Sequence, residues 1–158
     1  RNRLTNLIQT NKKLIILHLS MSTTKLEFEY DYDFFLIGIF CHFKDYRLAW
    51  SINQNLEFEL EKQNDYVLEL KNQEQRFSAY NYHIESQDLY YYLLNNRSEH
   101  GLLIPEKKDV DYFLLVDGLI ESSKKGELIK DIRNLNEVLS AVEINPQQLS
   151  SKQNLLID

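Results

Sequence analysis

The sequence predicts an α+β fold. An antiparallel β-sheet, a meander of about five to seven strands, carries a short buried N-terminal helix and a C-terminal amphipathic helix packed on it. Three observations lead there. Aromatic residues are frequent, with ten Tyr, eight Phe and one Trp, and many stand at alternate positions, the period of a half-buried strand. Short alternating runs are separated by polar, turn-like stretches, as in an antiparallel meander. The last third then changes to helical spacing between two apolar runs, a βαβ pattern. A chain of 158 residues, 43% hydrophobic and 27% charged, can bury a core without disulfides.

The elements follow in order. Lys25–Tyr32 alternates strictly, with Leu26, Phe28, Tyr30 and Tyr32 on one face, and reads as a strand. Asp33–Phe43 is almost wholly apolar around Gly38; Asp33 can cap it as a short buried helix, which is preferred to a strand. Tyr46–Asn53 alternates again and predicts a strand with Tyr46, Leu48, Trp50 and Ile52 on one face. Glu57–Leu60 is a shorter alternating piece. Asp65–Lys71 and Phe77–Ile84 read as a hairpin around the polar Asn72–Gln75, with Leu89–Leu94 a further strand. Val110–Asp117 is a continuous apolar run, typical of a strand covered on both faces. Leu128, Ile129, Ile132, Leu135 and Val138 predict a helix over Ser122–Asn136, capped by Ser122 or Ser123. Leu139–Ile144 then resumes as a strand before Asn145-Pro146. This order is similar to half of a ferredoxin-like or ACT-type domain.

Residues 1–20 are expected to form an extension outside the domain, upstream or non-native sequence ahead of a natural start at Met21, and 21–158 a single α+β domain. The apolar run Leu14–Leu19 is too short for a signal peptide or a bilayer crossing, so no membrane association is expected. Arg1, Arg3, Lys12 and Lys13 lie in that extension without an acid, which leaves the body more acidic than the overall net charge of −6. Such a body repels phosphate backbones, which argues against nucleic-acid binding. Cys41 is the one cysteine. It excludes an intrachain disulfide and reads as an inert buried thiol in a reducing, cytoplasmic compartment.

His42, His83 and His100 have no metal-ligand spacing, and the four glycines form no phosphate loop. Ser122, Ser123 and Ser140 lack a nucleophile-elbow context. No catalytic residue, metal site or cofactor is therefore expected.

One motif stands out. Ile104-Pro105-Glu106-Lys107-Lys108-Asp109-Val110-Asp111 precedes the apolar Tyr112–Val116. It resembles the signature of the IPExxxVD family, uncharacterised small proteins of Bacteroidota; Lys44–Trp50 also resembles that family's entry into its following segment. The resemblance implies a small cytoplasmic protein without assigned activity, and motif positions Ile104, Pro105, Glu106, Val110 and Asp111. Chemistry suggests roles for three of them. Glu106 can accept hydrogen bonds from loop amides, and Asp111 can cap the turn into the strand, while Pro105 ends a ladder. The competing reading pairs the two carboxylates for metal binding or acid–base work. The fold-element reading is preferred, because no nucleophile or third ligand stands nearby.

Tyr80, Tyr82, Tyr90, Tyr91 and Tyr92 form the candidate interaction surface, since Tyr suits half-wet interfaces. The expected function is a non-enzymatic protein-interaction or structural module, with a protein partner or a second copy. The alternative is an ACT-like small-molecule sensor, or an enzyme, with a site near the signature.

Overall fold

The computed structural model describes residues 31–157 and the backbone of two earlier strands, β1 (Leu14–His18) and β2 (Glu27–Tyr30). These two pair antiparallel, with an irregular register between Leu14 and Leu17. They belong to a unit, Arg1–Asp33, that is compact separately from Phe34–Asp158. The segment expected outside the domain thus supplies a partner for the strand expected at Lys25–Tyr32. Met21, the expected start, lies outside the described residues.

The second unit is α+β. Its elements are β3 (Phe35–Phe40), α1 (Asp45–Leu56), β4 (Glu61–Lys62), β5 (Tyr66–Leu70), β6 (Gln73–Phe77), β7 (Ala79–Ile84), β8 (Leu89–Asn95), β9 (Tyr112–Asp117), α2 (Ser122–Arg133) and β10 (Ser140–Ile144). Six strands make one antiparallel sheet in the order β10-β3-β9-β8-β7-β4, and β5-β6 is a separate hairpin. Only β7-β8-β9 is a meander; β3 lies between β9 and β10 and is antiparallel to both, so those two run parallel. Among the described residues no helix is long and apolar enough to cross a membrane.

Two expectations are corrected. Asp33–Phe43 holds a strand, not a buried helix: Phe35–Ile39 are buried on both faces, so no periodicity distinguished the two. Gly38 belongs to that strand because a Cβ there would meet Ile144 Cδ1 at 2.6 Å and Val110 at 3.2 Å. Tyr46–Asn53 lies in helix α1, not in a strand. Leu48, Ala49 and Ile52 are buried at helical spacing, while Tyr46 and Trp50 face outward. The hairpin partner of β5 also shifts, to Gln73–Phe77. Its two-residue turn, Lys71-Asn72, has positive φ at both positions, as a type I′ turn requires.

The sheet is covered on both sides. On one face Ile37, Ile39, Tyr91, Leu93, Leu114 and Val116 share a core with Leu48 and Ile52 of α1 and Leu128 and Ile132 of α2. On the other, Leu36, Leu94, Phe113 and Leu115 pack with Phe77, Leu103, Ile104, Val110, Leu149 and Leu155. That second layer comes from the β5–β6 hairpin, the loop before β9 and the C-terminal tail.

Gly38→Val is expected to lower stability by about 1–3 kcal/mol, the usual cost of overpacking a filled core. Urea denaturation measures it, and an unchanged midpoint would contradict the close approach of Ile144 and Val110.

Candidate functional site

The signature lies in the long connection from β8 to β9, which must find partners for its buried backbone. Asn96 provides most of them. Its side-chain nitrogen donates to the carbonyls of Lys107 (3.0 Å) and Val110 (2.8 Å), and its oxygen accepts from the amide of Ile104 (2.9 Å). Its main chain adds two bonds, accepting from Leu103 N–H at 2.8 Å and donating to Asp111 O at 2.9 Å. Asn96 is fully buried, as are Leu103 and Ile104, which it seats on the sheet.

The motif residues then divide their work. Pro105 opens a single 3-10 turn, Pro105–Lys107. The Glu106 carboxylate accepts the Ser151 amide (2.7 Å) and hydroxyl (2.9 Å), tying down the C-terminal tail. Burial alone would raise its pKa, but the Ser151 hydrogen bonds outweigh this and hold it below the usual value. Asp111 accepts the Cys41 amide at the end of β3 (2.9 Å) and lies 3.4 Å from the Arg97 guanidinium. Val110 is buried against Gly38. Asn154 completes the tie by donating to Leu103 O at 2.8 Å.

Glu106 and Asp111 therefore serve different partners, one on the tail and one on β3. Among the described residues no group of three His, Cys, Asp or Glu side chains is placed to hold a metal ion. Cys41 is buried, and burial pushes its thiol pKa up. Of the histidines, His83 stacks on Tyr90 at 3.8 Å and His100 lies 3.7 Å from Glu99.

The five tyrosines fall on both faces of the sheet. Tyr80, Tyr82 and Tyr91 face the helices. Tyr82 stacks on Tyr91 at 5.9 Å, and Tyr80 donates to Asp45 at 3.3 Å. Burial, and then the Asp45 charge, push the Tyr80 hydroxyl up to about 12. Tyr90 and Tyr92 are partly buried on the opposite face, their rings parallel at 6.5 Å.

Two features escaped the sequence reading. One is Asn96, which nothing in the chain marks as buried. The second is an exposed aromatic face. Tyr46 and Trp50, one helical turn apart on α1, are 67% and 51% exposed. The Arg47 guanidinium lies 4.6 Å from the Trp50 ring centre and pairs with buried Glu137 at 2.8 Å. Phe43, at the helix entry, and Leu139, two residues past Glu137, are exposed as well. A helical reading of 45–56 would have separated Tyr46 and Trp50 from Leu48 and Ile52.

Comparison with protein-family models, curated proteins and solved structures found no match to the chain.

Asn96→Ala strands three buried backbone groups and is expected to cost at least about 2 kcal/mol; equal denaturation midpoints for variant and parent would contradict this. Glu106→Gln tests the tie to the tail. With its folded pKa depressed, Glu106 stabilises above the ordinary value of 4.5, and that contribution disappears as pH falls through the folded value. Melting curves of parent and variant should differ at neutral pH and converge in acid; a difference that persists in acid would contradict the assignment.

Proposed function

We infer that this protein is a non-enzymatic interaction module whose binding surface is the exposed aromatic face of α1. One observation carries the reading: Tyr46, Trp50 and Phe43 are more than half exposed beside Arg47. Trp, Tyr and Arg are the residues that dominate the energy of protein interfaces. The side chains are pre-positioned too, since the Arg47 pair with Glu137 holds the guanidinium over Trp50. Exposed Lys44 and Arg47 flank this face. A partner surface with acidic groups around an apolar pocket suits it, and the acidic body of a second copy offers such groups.

The absence of a catalytic constellation around the signature also favours this reading, as does the engagement of Glu106 and Asp111 by the chain itself. The resemblance to the IPExxxVD family, and with it a cytoplasmic setting, rests on the motif residues. The strand order, with β3 between β9 and β10, favours a split βαβ core of the ferredoxin-like kind.

Sedimentation of the full chain over a wide concentration range, paired with capture from native lysate, tests the proposal. Trp50→Ser should weaken the association by about 2 kcal/mol, roughly thirty-fold in Kd. The reading fails if the parent stays monomeric at high concentration and Trp50→Ser captures the same proteins as the parent.

A further inference from the structure

We propose that a cleft beside the signature binds a small organic carboxylate through Lys71 and Gln75, with the ligand's apolar part on Leu70, Leu102 and Pro105. The cleft lies between the turn of the β5–β6 hairpin, the loop leading to Pro105 and the C-terminal tail, and holds about 420 Å³. That volume falls in the lower part of the ~300–1,000 Å³ range of small-molecule sites. It is remote in sequence from the aromatic face of α1, and the proposal stands independently of that surface.

The lining selects for charge. The chain has 24 acidic residues, yet no Asp or Glu lines this cleft, while Lys71 and His100 do. The signature's Glu106 is already engaged: both of its oxygens accept from Ser151. Lys71 has no ion pair among the described residues, and its backbone is set by the two-residue turn with φ of 51°. It places a cation in the lining of the cleft.

Gln75 supplies the directional contact. Its side chain lines the cleft although the residue is only 4% exposed. Its oxygen accepts the Ser98 hydroxyl, which leaves the amide N–H groups for the cleft. That orientation is held from behind. Ser98 also donates its amide to the Gly101 carbonyl at 2.9 Å, and a Cβ at Gly101 would come within 3.4 Å of the Gln75 oxygen. A buried amide donor, a nearby cation and an apolar wall suit a carboxylate with a hydrocarbon tail: charge-assisted hydrogen bonds take the head, and burial takes the tail.

A nitrogen-15 NMR titration of the full chain with 4-methylpentanoate, and with its uncharged amide as control, tests this. The expected result is saturable shifts at the Gln75 side-chain amide and at the backbone amides of Lys71 and Gly101. The amide control should bind at least about tenfold more weakly. Lys71→Asn, a residue that tolerates positive φ, should keep the spectrum of the fold and weaken the carboxylate by about tenfold. The proposal is overturned by any of four results: no saturable shift, equal affinity for acid and amide, shifts elsewhere on the molecule, or undiminished binding by Lys71→Asn.

Discussion

The buried side chain of Asn96 holds the second layer of this protein together. Without it, the connection from β8 to β9 would cross the sheet with the Ile104 amide and the Lys107 and Val110 carbonyls unpaired in an apolar environment. With it, Leu103, Ile104 and Val110 become core residues that close one face of the sheet. The tail depends on the same arrangement, because Asn154 binds the Leu103 carbonyl and Ser151 binds Glu106. One short amide thus sets the position of a loop, and the loop sets the position of the last residues of the chain.

Much of the architecture could be read from the sequence, and the misreadings have a common cause. The strands at Tyr66–Leu70 and Leu89–Asn95, the strand at Tyr112–Asp117 and the helix at Ser122–Arg133 lie close to where alternation, a continuous apolar run and helical spacing put them. The two inverted elements are those where periodicity carried no signal or a false one. β3 is buried on both faces, so its apolar run fitted helix and strand equally. In α1, Tyr46 and Trp50 are apolar but exposed, and counting them as inward produced an alternation that the helix does not use. A sequence reader assumes that an aromatic residue is buried, and the assumption failed at the residues proposed for binding.

For the signature, the partners of Glu106 and Asp111 lie farther away in the chain than expected. Glu106 was expected to satisfy amides of its own loop; it reaches Ser151, 45 positions on. Asp111 was expected to cap its own turn; it takes the Cys41 amide of β3, 70 positions back. Both are long-range ties, which chain spacing cannot show. Their effect is to hold Pro105 and the tail as two walls of one cleft, so residues with structural work also shape the surface where a ligand is proposed to bind.

The central claim is that the Asn96-centred hydrogen bonds belong to the cooperative core and not to a loose surface loop. Native-state hydrogen exchange at the Asn96, Leu103 and Ile104 amides tests it most directly. Protection equal to that of the β3 and β9 amides, lost only through global unfolding, is the predicted result. Exchange of these three amides through local fluctuation, while the central strands stay protected, would contradict it.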